Sequence, residues 1–212
     1  IASLYPEVLY IVANSRTGIR SLSDLKARRV SLGEAGSSIE ACAMTLLQAC
    51  GMTRSDIQAQ NRTILDSYAA LQNGELDAAF FLAGTPNEAY EEMSDLAAIS
   101  LIGLGEAEAA ALMEEYPQFQ ETVIPAGTYT GITEDISTVS VMSLLVCRKE
   151  LSDDFVYSIT KNLFENLEEL AGEYTLAASL SVESAQQNVT IPLHGGAQKY
   201  YAEAAAAQGK QD

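Results

Sequence analysis

The chain has 212 residues and a formal net charge of −17, from 12 basic and 29 acidic side chains, with 48% hydrophobic and 19% charged residues. That length and apolar content allow a packed core and argue against disorder, and so acidic a surface repels phosphate backbones and anionic lipid, which excludes nucleic acid and membrane surfaces as expected partners. No apolar run reaches the ~18 residues a membrane-spanning helix needs.

In chain order, strands alternate with amphipathic helices, the pattern of an α/β fold with a largely parallel sheet. Val8 to Asn14 reads as an apolar, β-branched strand. Ser21 to Asp24 has capping-box spacing and opens a short helix ending near Arg28. Val30 to Gly33 is a strand, and the small-residue loop after it leads into a helix from Ile39 to Cys50, stopped by Gly51. Asp66 begins a helix through Leu71, Asp77 to Ala83 is a strand buried on both faces, and the loop 84–87 opens a helix toward Met93. Ala98 to Leu104 is a strand, Glu106 to Tyr116 a helix, and Val123 to Glu134 an irregular Gly/Thr/Pro-rich segment. Val139 to Arg148 reads as a long strand. Ser152 caps the longest helix, with Val156, Ile159, Leu163, Leu167 and Leu170 on one face and Gly172 as its stop. A short helix and a terminal one, Gly195 to Gln208, complete the pattern.

Catalytic constellations are absent from the sequence. His194 is the sole histidine, so no histidine pair can hold a metal, and no GxSxG elbow accompanies it for a triad. There is no GxxxxGK, and Gly103-Leu-Gly105 lacks the third glycine of a dinucleotide fingerprint. Cys42, Cys50 and Cys147 form no metal-like spacing, and the first two lie about 12 Å apart along one expected helix, beyond disulfide reach. Free thiols, no cofactor, no metal and no enzyme are the expectation.

The positive signal lies in two strand-to-helix loops. In open α/β sheets, ligands bind beyond the carboxyl ends of strands, where helix N-termini present free N–H groups. The first such loop, Gly33 to Ser38, has Gly36 for close backbone approach and hydroxyls at Ser37 and Ser38. The plainer reading is a capped helix, with Glu40 returning to the backbone of Ser37. The second loop, Phe81 to Pro86, has the same form, and two such loops side by side suggest a cleft.

Five stretches carry a family likeness: LYPEV (4–8), GELDAAFFLAGTPNEA (74–89), IPAGTY (124–129), LSDDFVYSITKNLFENLEEL (151–170) and IPLHGGAQKYY (191–201). With SLSDLK (21–26) leading to the Gly/Ser loop, the chain resembles the TAXI-family receptors of TRAP transporters, which have the type II periplasmic-binding-protein fold. The resemblance covers essentially the whole chain. It departs from the family's G-x-P-G-S-G-T-E loop at Ala35, Ser38 and Ile39, and losing the threonine hydroxyl leaves the ligand open.

What the resemblance implies is an α/β, type II periplasmic-binding-protein-like chain of two lobes joined by a two-strand hinge, with most of lobe one absent. Residues 1–15 would be the tail of lobe one and a hinge strand, 16–131 the ligand-binding lobe two, and 132–212 the return strand and C-terminal helices of lobe one. The opening Ile1-Ala-Ser reads as mid-strand, so a fragment or processed product is expected, with a signal peptide upstream. The implied function is an extracytoplasmic receptor, periplasmic or a surface lipoprotein, that delivers a small carboxylate or amino acid (glutamate, glutamine or a 2-oxo dicarboxylate) to a TRAP permease. The alternative is a ligand-sensing effector domain of the same fold. The expected ligand-binding set is Gly36, Ser37, Ser38, Phe81, Gly84, Thr85, Pro86 and, from the IPAGTY stretch, Tyr129.

Overall fold

A computed structural model describes residues 1–96 and 99–208. In chain order the elements are β1 (Ala2–Asn14), β2 (Arg29–Ser31), α1 (Ser38–Ala49), β3 (Gln58–Gln60), α2 (Ile64–Gln72), β4 (Ala78–Ala83), α3 (Glu88–Leu96), β5 (Ile99–Leu101), α4 (Glu106–Glu115), β6 (Phe119–Ile124), β7 (Ile136–Leu145), α5 (Asp153–Glu165), α6 (Leu167–Glu173) and α7 (Gly195–Gln208), with short 3-10 turns between them. The strands form one seven-stranded sheet in the order β3-β2-β4-β1-β7-β6, with β5 paired to β1. Contacts divide the chain into two units, one of Ile1–Pro6 with Met142–Asp212 and one of Glu7–Val141, so β1 and β7 each contribute to both.

In the unit 7–141, β2 runs parallel to β3 and β4, and β1 is antiparallel to β4 with Val8 opposite Ala83 and Ala13 opposite Ala78. Successive β1 side chains point to opposite faces of the sheet. Leu9, Ile11 and Ala13 enter a core with α1 and α4 residues Ala43, Leu46, Leu47 and Leu112. Val8, Tyr10 and Val12 enter a second core with Leu71, Phe81, Tyr90 and Tyr129. Both faces of β1 are therefore covered, which is why its sequence is apolar without alternation. The Thr138 hydroxyl of β7 donates to the Leu9 carbonyl of β1 (2.6 Å), so the two long strands meet there.

In the other unit, α5 packs on α7 through Val156, Phe164, Ala197 and Tyr201. Phe164 stacks on Tyr200 at 5.7 Å and meets Tyr201 edge-on at 5.6 Å. The Tyr201 hydroxyl donates to the Ile1 carbonyl (3.2 Å).

Several expectations are corrected. The helix expected from Ser152 to Gly172 is two helices, because Asn166 leaves helical geometry at φ −115° and ψ 20°, and α6 runs through Gly172 to Glu173. The cap of α2 is Thr63, whose hydroxyl oxygen accepts the Asp66 N–H, so Asp66 lies inside the first turn rather than starting the helix. β7 begins at Ile136, three residues before the expected Val139. The segment expected to be irregular from Val123 is strand β6 up to Ile124. Residues 58–60 form a strand where none was expected. The strand expected from Ala98 is found at 99–101, and Ala98 itself lies outside the described residues. All three cysteines are free, as expected, and half-buried.

Candidate functional site

Because β2, β3 and β4 are parallel, their carboxyl ends share one edge of the sheet, followed there by the N-termini of α1, α2 and α3. The antiparallel β1 brings Val8 to that edge opposite Ala83. Both loops singled out from the sequence open on this edge, after the adjacent strands β2 and β4.

The first loop is held by its own side chains. Gly33 has φ +84°, and a Cβ there would lie 2.7 Å from the Ile39 Cβ, so only glycine fits as the chain turns back into α1. The Ser37 hydroxyl oxygen caps α1 by accepting the Glu40 N–H at 3.2 Å. The Glu40 carboxylate accepts the Gly36 N–H (2.7 Å), the Asn61 amide (2.8 Å) and the Arg54 guanidinium (2.9 Å). These donors, Gly36 first, hold its carboxyl below the usual glutamate range. The Ser37 N–H donates to the Glu34 carbonyl (3.1 Å). The backbone N–H groups of Gly36 and Ser37, expected to be free at a helix N-terminus, are thus engaged within the loop, and Glu40 returns to Gly36 rather than to Ser37. Gly36 and Ser38 are exposed and Ser37 is half-buried.

The second loop, 84–87, rests on a tyrosine cluster. Tyr10 Oη lies 2.5 Å from Thr85 Oγ1, 2.7 Å from Tyr129 Oη and 3.5 Å from the Gly84 carbonyl oxygen. Tyr129 Oη also accepts the Asn87 N–H (2.8 Å), and Asn87 Oδ1 accepts the Tyr90 N–H at the start of α3 (3.0 Å). The Tyr90 ring lies 5.7 Å from that of Tyr10 and 4.6 Å from that of Tyr129. Burial pushes the phenols of Tyr10, Tyr90 and Tyr129 up, so they act as neutral hydrogen-bonding groups.

Of the expected site residues, Gly84, Thr85 and Tyr129 come together in this network. Gly36, Ser37 and Ser38 stand at the end of the neighbouring strand. Phe81 is 4% exposed and lies in the core, with its ring 4.5 Å from that of Tyr68, so no face of it opens on the loop. Pro86 is exposed. Sequence reasoning missed Tyr10, Tyr90 and Asn61 as supports. The alternation along β1 assigns Tyr10 to one face, yet only the pairing with β4 puts it beneath Thr85. A cavity of about 320 Å³ lies beside Tyr90, lined also by Ser100, Thr130, Glu134 and Ile136, and includes neither loop.

The fold is that of the periplasmic binding proteins. A periplasmic sulfonate-binding protein SsuA from Methylobacillus flagellatus KT matches with a TM-score of 0.51 at 19% identity, over 98% of this chain and 61% of that one. The aliphatic sulphonate binding protein SsuA from Escherichia coli gives 0.49 at 17% identity, over 99% and 65%. The alkanesulfonate-binding protein SsuA from Xanthomonas axonopodis pv. citri, bound to MOPS, gives 0.46 at 18% identity, over 94% and 58%. The chain spans roughly three-fifths of the length of these structures. It belongs to the NMT1-like family, whose model matches residues 1–204.

Proposed function

We propose that this chain is part of an extracytoplasmic solute receptor, with the unit 7–141 as the lobe that carries the ligand-binding loops and β1 and β7 as the hinge strands leading to the other lobe. The reading is carried by the two strand-to-helix loops on one sheet edge, in a chain with a binding-protein fold and NMT1-like membership. Its expected binding surface is Gly36, Ser37, Ser38, Gly84, Thr85 and Pro86, with Tyr129 acting from beneath and Phe81 contributing through the core. Ligand would be buried by lobe closure rather than transformed. Among the described residues there is no cluster of His, Cys, Asp and Glu able to hold a metal and no helix long and apolar enough to cross a membrane.

The TAXI resemblance of the five sequence stretches supports a small carboxylate or amino acid as cargo and a TRAP permease as its destination. The likeness to a sulfonate-binding protein of an ABC transporter favours a second reading, a sulfonate cargo and an ABC transporter. Native mass spectrometry of the full-length protein, followed by calorimetry with the co-purified compound, tests both. A bound carboxylate or amino acid supports the first reading and a sulfonate the second. Turnover of the compound, or a protein that binds neither class, would overturn the receptor assignment.

A further inference from the structure

We propose that His194 is a proton-switched cap of α7: its neutral ring, with the proton on Nε2, accepts the Gly196 N–H, and a second proton ends that bond and hands Nδ1 to the Asp153 carboxylate.

The tautomer follows from two backbone partners whose roles cannot reverse. His194 stands just before α7, and its carbonyl accepts the Gln198 N–H (3.0 Å), the first bond of that helix. Its Nδ1 lies 3.2 Å from the Gly196 nitrogen, and a backbone N–H can only donate. Its Nε2 lies 3.1 Å from the Leu151 carbonyl oxygen, which can only accept. A neutral imidazole has one N–H and one acceptor nitrogen. The Nε2–H form meets both partners. The Nδ1–H form would set a proton against the Gly196 N–H and a lone pair against the Leu151 oxygen, and so meets neither. The side chain is 8% exposed, so water does not readily replace either partner.

The imidazolium form donates from both nitrogens, so it keeps Leu151 and loses Gly196. Gly196 is buried, and its N–H is then left without an acceptor. The carboxylate that faces Nδ1 is that of Asp153, in the first turn of α5 and 3.5 Å away on a flexible, largely exposed side chain, so the gap can close to hydrogen-bond length. Among the described residues, the other titratable or charged side chains near the ring are Cys147 and Lys149, across a cavity of about 280 Å³. On α7 itself, Lys199 turns to Asp154 (3.8 Å). An ammonium has no lone pair to offer, which leaves Asp153 as the partner of the new proton. α7 also carries Tyr201, whose hydroxyl donates to the Ile1 carbonyl just before β1 (3.2 Å), so the switch sits at the start of the helix that anchors that strand.

NMR of the full-length protein tests this. At about pH 8 the ring nitrogen shifts of His194 are expected to report the Nε2–H tautomer, with a scalar coupling across the hydrogen bond from Gly196 to Nδ1. The Nδ1–H tautomer, or no coupling, overturns the cap. On acidification to about pH 5, the span over which imidazole ordinarily gains its second proton, the coupling should vanish. The Gly196 amide and the Asp153 carboxyl carbon should shift with the same midpoint as the ring. A ring that takes up no proton, or an amide or carboxylate that does not follow it, overturns the switch. Exchange protection of the Gly196 amide, taken relative to the α5 amides at each pH, should fall roughly tenfold, the loss of one buried hydrogen bond. His194→Asn offers a capping oxygen that does not titrate, and should hold that protection constant to within about twofold. The same acid loss in His194→Asn would place the titrating group elsewhere and overturn the proposal.

Discussion

The Asp77 carboxylate accepts from the Arg29 backbone N–H (2.8 Å), from its Nε (3.1 Å) and from its Nη2 (2.6 Å), while the Asp77 N–H returns to the Arg29 carbonyl (2.9 Å). One side chain thus fixes the start of β4 beside the start of β2, and with it the relative height of the two loops at the far ends of those strands. The hydrogen bond from the Arg29 side chain, more than any other cause, holds the Asp77 carboxyl below the usual aspartate range. A depressed folded pKa means that stability is fully present above the unfolded value, about 3.9, and is lost as pH falls through the folded one. Arg29 is 40% exposed, so the pair is partly screened. Asp77→Asn is expected to cost about 1–2 kcal/mol at pH 7, a fall of several degrees in Tm. Thermal melts from pH 7 to pH 2.5 check this: the gap between wild type and variant should close below about pH 4. A gap that stays constant with pH would show that the carboxylate charge is not what joins the strands.

Among the elements, α5 and α7 add a close backbone approach to the packing of their side chains. A Cβ at Gly196 would lie 2.2 Å from the Asp153 carbonyl oxygen and 2.7 Å from the Tyr157 nitrogen. A Cβ at Gly195 would meet the Asp153 carboxylate oxygen at 2.8 Å, the end of a flexible side chain that is 70% exposed and lies 3.5 Å from His194 Nδ1. Backbone atoms cannot yield in that way. Gly196→Ala is therefore expected to destabilise by at least about 3 kcal/mol, the upper end for overpacking, and Gly195→Ala by less than about 1 kcal/mol. Urea unfolding of the two variants decides between this account and a generic loss of helix-terminal glycine, which would make them equal.

For the whole molecule, the two units differ in how much they bury. Among the described residues, the unit 7–141 holds two apolar clusters on opposite faces of β1 and the other unit holds one, with no buried residue on α6. Local opening follows buried contact density. Amides of β1 and β4 should exchange with solvent far more slowly than those of α6 and residues 175–190, by at least a hundredfold in mass-spectrometric hydrogen exchange. Equal rates would mean that the units open together. The net charge of −17 also opposes compaction. Raising salt from 10 to 200 mM should increase Tm by a few degrees, since the screening length falls from about 30 Å to about 7 Å; an unchanged Tm would show that the acidic side chains are already far enough apart.

How much of this was legible in the sequence depended on the range of the forces involved. Ser37 as a cap, Ser152 as a cap, the apolar strand β4 and the helix from Glu106 could be read because their causes lie within a few residues. The three-residue strand Gln58–Gln60 and the edge strand Phe119–Ile124, with Gln120 and Glu121 in it, could not, because pairing rather than composition makes them strands. The break at Asn166 interrupts an apolar periodicity that continues through it, so the pattern alone joins what the backbone divides. The loop glycines and serines announced a candidate site, yet its supports stayed hidden. Tyr10 and Thr85 are 75 residues apart and Tyr10 and Tyr129 are 119 apart. The two-residue period of a strand puts Tyr10 on one face with Val8 and Val12. Which hydroxyl it would meet there was decided only by the antiparallel register of β1 on β4, where a shift of one residue would have turned Tyr10 to the other face of the sheet, away from Thr85.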